Sequence, residues 1–173
     1  AKKYFSEDNL DKALMYLGKI DSKSTIYPFA LHLLGVISSL KNNESEARNY
    51  YSKCVEYSDK KYVDNKNYCQ LAIARSLFNE KKYLEAQNSY NETSKKSSVW
   101  PEQLYEEAWN QYYLKNYNRS LGKLVSYKSP LLDFVFIPGV FSLTSLSYLK
   151  MCHYTDDQKE VDSFYSKFSE DTK

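Results

Sequence analysis

"ESEARNYY", residues 44–51, decides how this chain reads. It sets a small residue, Ala47, four positions before a large one, Tyr51. On a helix such a pair shares one face, a turn apart. The small residue lets two antiparallel helices approach closely where they cross, and the large one fills the gap a turn later. The arrangement recurs. "NLDKALMYLG" offers Ala13 and Leu17, "KKYLEAQNSY" Ala86 and Tyr90, "KNYNRSLGKL" Ser120 and Leu124, and "HYTDDQKEV" Asp157 and Val161. The anchors stand at 13, 47, 86, 120 and 157, spaced by 34, 39, 34 and 37.

The rest of the composition agrees with helices. Among 173 residues only 4 are Gly and 4 are Pro, few for an all-β chain that must turn often. With 42% hydrophobic and 27% charged residues, the chain reads as globular. Helices are expected near 10–21, 26–41, 43–57, 63–80, 82–96, 101–114, 117–128, 137–151 and 156–170. Pro28 and Pro101 suit first turns, and Asp156 and Asp157 suit the positive end of a helix dipole. The spacing of 39 places an insertion around "SDKKYVDNKN", and the spacing of 37 places another around "SPLLDFVFIPG". That second segment reads as an extended apolar linker, since a lone strand has nothing to pair with.

A repeat near 34 residues with this small-then-large signature resembles the tetratricopeptide repeat (TPR) superfamily. Leu31, Leu34 and Gly35 stand where that family has its Trp, Leu and Gly; Ala74 and Ala108 take its small position. Tyr83, Tyr117 and Tyr154 precede their anchors by three, where the family often has Tyr. The resemblance implies one all-α domain over 1–173, a right-handed superhelical solenoid of about five antiparallel helix pairs. The repeats would fall near 1–24, 28–61, 67–100, 101–134 and 138–173, the fifth a polar cap because Asp157 replaces Ala. Ala1 falls in the middle of the first repeat's first helix, so the native protein is expected to continue before it. The segment from Ser126 to Phe168 also resembles TPR proteins of gliding and predatory deltaproteobacteria. There Ser129-Pro130, Phe134, Phe136, Pro138 and Cys152-His153-Tyr154 match, while Gly139-Val140 replace Glu-Ala and His153 replaces Arg. That likeness implies an envelope or motility assembly.

In such a solenoid the first helix of each pair lines a concave groove. The residues expected there are Phe29, His32 and Val36, then Tyr68, Leu71, Arg75 and Phe78, then Tyr105, Trp109 and Tyr112. The last three follow i, i+4, i+7 spacing. Rings at these places can equally pack on the preceding helix. The groove would be aromatic, with Arg75 its one clear cation. Against the chaperone-binding members it lacks the Lys, Asn and Arg set that clamps a terminal carboxylate. An apolar helix or extended peptide is the expected ligand.

Little points to chemistry. His32 and His153 are far apart, and no metal or phosphate motif is present. No cofactor and no catalysis are expected. A formal net charge of +2 gives no reason to expect nucleic acid, and no apolar run approaches the ~20 residues that span a bilayer. The odd set Cys54, Cys69 and Cys152 is not a disulfide framework, nor does it exclude an oxidising compartment. Cys54 and Cys69 read as core, and Cys152 as a half-buried thiol in a turn. The expected function is a non-catalytic scaffold that binds another protein or peptide. The alternative is a self-associating structural segment, a possible homo-oligomer, with the groove filled by "SPLLDFVFIPGVF" or a second copy.

Overall fold

The anchors are where the helices touch. Ala13, Ala47, Ala86 and Ser120 are fully buried, and their partners Leu17, Tyr51, Tyr90 and Leu124 are at most 4% exposed. Burying such large side chains contributes roughly 1.5–3 kcal/mol each. The computed structural model describes residues 9–58, 62–132 and 137–168. Among them the helices are α1 (Leu10–Leu17), α2 (Tyr27–Leu40), α3 (Glu44–Tyr57), α4 (Val63–Asn79), α5 (Tyr83–Asn91), α6 (Trp100–Tyr113), α7 (Tyr117–Tyr127), α8 (Gly139–Lys150) and α9 (Tyr154–Phe168). No strand occurs among the described residues, so the fold is all-α, built from helical hairpins. Asp157, the fifth anchor, is only half-buried, and accepts a hydrogen bond from Ser145 Oγ on α8.

The chain forms two compact units, 1–99 and 100–173. In the first, each helix from α1 to α4 packs on the next, and α2 also touches α4. In the second, α6 packs on α7, α7 on α8 and α8 on α9, while α6 also touches α8. Within each unit one pair thus meets the next chiefly through its second helix, with a smaller contact between the first helices, the nearest-neighbour packing of a repeat array.

One turn closes each of the four pairs whose turns are described. Asn42, Lys81, Lys115 and Cys152 adopt left-handed backbone with φ of 60–62°. Each stands five residues before its anchor. In each turn the N–H of the next residue reaches back to a carbonyl five positions earlier: Asn43 to Ser38, Lys82 to Leu77, Asn116 to Gln111 and His153 to Tyr148, at 2.9–3.0 Å. This is a Schellman closure, which satisfies carbonyls that a helix end would otherwise leave bare.

Asn9 and Asn43 cap the starts of α1 and α3 with their side chains. Asn43 Oδ1 accepts from the Glu46 N–H while Asn43 Nδ2 donates to Glu46 Oε2. Pro28 occupies the first turn of α2 and Pro101 that of α6. Two helices stop sooner than their periodicity suggests. α1 ends at Leu17, where Gly18 caps it by donating to the Leu14 carbonyl. α5 ends at Asn91, beyond which Ser94 and Ser97 hydroxyls accept the N–H groups of Lys96 and Val99 and hold the chain in turns. The insertion after Ser58 lengthens α4 to 17 residues against 14 in α2 and α6. In the apolar linker Pro130–Leu132 is a 3-10 turn and Leu132 is buried in the unit's core. Phe134 and Phe136, with the start before Asn9, lie outside the described residues.

Two expectations about sulfur need correction. Cys54 and Cys69 are core residues, both fully buried, but they are joined by a disulfide between α3 and α4, their Cα atoms 6.2 Å apart. Asn65 Nδ2 donates to Ser58 Oγ at 3.1 Å and to Cys54 Sγ at 3.2 Å beside the bond. Cys152 is exposed rather than half-buried, because its left-handed turn turns it outward.

Candidate functional site

In the first unit the exposed ring surface is shared by α2 and α4. Phe29 and Tyr68 remain 42% and 43% exposed. Phe29 meets Tyr62 edge to face at 5.2 Å, and His32 stacks on Tyr68 at 6.4 Å with planes 17° apart. His32 also leans on Tyr51 at 6.1 Å. Tyr51 reaches that place because Gly35 has no side chain; a Cβ there would stand 2.4 Å from the ring. Arg75 acts on the same spot. Burial first, then the nearby guanidinium, pushes the His32 imidazole below its ordinary pKa of 6.5. Burial and Glu44 push the Tyr51 hydroxyl up to about 12, opposed by Arg75.

Other residues expected in the groove differ in their exposure. Val36 is half-buried against the cluster of Ala47, Tyr51 and Ala72. Phe78 is half-buried, edge-on to Tyr83 at 5.4 Å. Leu71 does not share the surface: it is fully buried among Ala74, Ala86 and Tyr90, on the side of α4 that packs against α5. Tyr62 and Tyr51 belong to the ring cluster although the spacing rule does not select them. Tyr51's role as a packing residue hid the reach of its ring.

In the second unit Tyr105, Trp109 and Tyr112 are all half-buried. Trp109 is central, edge-on to Tyr105 at 6.5 Å and to Tyr112 at 5.7 Å, and stacked on Tyr113 at 5.9 Å. Tyr112 continues to Tyr117 on α7 at 5.4 Å. The three rings also pack against the core around Leu104, Ala108 and Val140. Tyr105 lies over the start of α8, where a Cβ on Gly139 would stand 2.2 Å from its hydroxyl. These rings therefore tie α6 to α7 and α8 while keeping part of their faces outward.

The described residues hold no group of three or more acidic, His or Cys side chains suited to a metal ion. A hollow of about 200 Å³ between α8 and α9, walled by Phe141, Val161, Phe164 and Tyr165, is smaller than the ~300 Å³ usual for small-molecule sites. A larger one, about 510 Å³, opens beside the α2–α3 turn. There Glu44 Oε1 accepts from Ser39 Oγ at 3.0 Å and Asn79 Nδ2 at 3.1 Å, with no second acid or base lining the hollow. No described helix is long and apolar enough to cross a membrane.

No protein-family model matches the sequence, and no curated protein is significantly similar to it. Solved structures are similar in shape. The apo form of RapI superposes with a TM-score of 0.79 at 13% identity, over 99% of this chain and 68% of that one. A kinesin light chain protein of Podospora anserina with nearly identical TPR-like repeats gives 0.72 at 10% identity, over 99% of this chain and 92% of that one. The turn, anchor and pairing geometry together with these likenesses give the chain a TPR-like helical-repeat fold.

Proposed function

We propose that this chain is a protein-interaction scaffold. Its α2/α4 face holds an apolar helix or extended peptide by the peptide's side chains, and the chain itself performs no catalysis. The observation that carries this reading is the pair Phe29 and Tyr68: two large rings held in place by Tyr62 and His32 yet more than two-fifths exposed. Aromatic rings with few torsions lose little freedom on binding and are favoured at interfaces. The near balance of charge argues for a protein partner rather than a polyanion. Trp109 and its neighbours form a second ring surface on the other unit.

Peptides selected by phage display on the purified chain test the reading. Their affinity, read by fluorescence polarisation, is expected to fall at least tenfold on a Phe29→Ser, Tyr68→Ser variant whose circular dichroism is unchanged. Selected peptides that bind this variant as tightly as the parent would move the interface elsewhere.

A further inference from the structure

The disulfide is placed where no oxidant can reach it. Cys54 and Cys69 have no exposed surface, and the cluster that covers them contains Ala30, Leu31, Leu34 and Ile37. The Asn65 amide closes the polar side against Ser58. Thiol–disulfide exchange needs a thiolate with room for in-line attack on a second disulfide. The folded unit offers neither solvent to ionise the thiols nor space for the attacking partner. In the unfolded chain the two cysteines are only 15 positions apart and meet often.

We propose that Cys54 and Cys69 are a maturation site: the chain is a substrate of a disulfide-bearing oxidant in an oxidising compartment, and the bond forms before α4 docks on α3. One cysteine thiolate attacks the oxidant's disulfide and gives a mixed disulfide, releasing one oxidant thiolate. The second cysteine attacks that mixed bond and releases the other. Two electrons and two protons pass from the chain to the oxidant, which leaves as a dithiol. Docking of α4 then seals the product.

The test begins with the chain isolated from its source, with iodoacetamide added at lysis. Digestion with trypsin without reduction is expected to give fragments 54–60 and 67–75 joined, separating only after reduction. Alkyl label on both cysteines of the native chain would overturn the proposal. A second arm takes the purified chain, reduced and unfolded, and adds oxidised glutathione either at the start of refolding or after it. Bond formation is expected to be at least tenfold slower in the refolded chain, or refolding to fail without the oxidant. Equal rates in both orders would overturn the claim that oxidation precedes docking. A Cys54→Ala, Cys69→Ala variant is expected to melt about 5–10 °C below the oxidised parent and to be indifferent to reductant. A variant that melts with the parent would show that the bond does nothing for the fold.

Discussion

At the scale of single residues, the turns reveal a cost accepted in three of four places. A left-handed backbone is strained for a residue with a Cβ, by roughly 1–2 kcal/mol, and Asn tolerates it better than Lys. Lys81→Gly and Lys115→Gly are therefore each expected to stabilise the fold by about 0.5–1 kcal/mol, and Asn42→Gly to change little, in urea unfolding. Gly35 answers to a different constraint. Gly35→Ala drives a methyl into the buried Tyr51 ring and is expected to destabilise by about 1–3 kcal/mol. His32 carries a pH signature. Its folded pKa lies below 6.5, so the unfolded chain takes up the proton first. Stability should fall as pH drops through 6.5 toward the folded pKa, and a His32→Gln variant should lose that part of the slope.

At the scale of elements, the second unit holds a charged contact between α6 and α7. Glu107 on α6 is 3% exposed; it pairs with Lys123 on α7 and accepts from Gln103 Nε2 at 2.6 Å. Truncating one partner leaves the other charge buried. Lys123→Ala is expected to destabilise by about 1–3 kcal/mol, discounted because Lys123 is one-third exposed, and a Lys123→Ala, Glu107→Leu variant to recover much of it. The pairing itself was legible: a small residue and a large one four apart mark each second helix, since close approach demands them. The ends of α1 and α5 were not, because serine and glycine turn chemistry competes with helix without disturbing apolar periodicity. Phe29, His32 and Tyr68 were legible as one face from their register. Leu71 was not excluded by it, because burial depends on how far α4 is rotated about its own axis. Nor was the disulfide, which joins the second helix of one pair to the first helix of the next: two buried cysteines 15 positions apart read equally well as separate core residues.

At the scale of the molecule, the two units differ in what they report. Both tryptophans, Trp100 and Trp109, lie in the second unit, and the disulfide lies in the first. Its 15-residue separation corresponds to about 3 kcal/mol of chain-entropy stabilisation. Reductant is therefore expected to move the urea midpoint read by far-ultraviolet circular dichroism, which sees every helix, further than the midpoint read by tryptophan fluorescence. Coincident shifts would mean that the units unfold as one. The recurring turn has its own consequence for how such a chain changes length. From left-handed residue to anchor the distance is five in all four copies, while from one anchor to the next it varies. The corner therefore keeps its length while the helices it joins do not, α4 running to 17 residues against 14 in α2 and α6. A residue inserted between the left-handed position and the anchor is expected to lower the urea midpoint further than one inserted at a helix start.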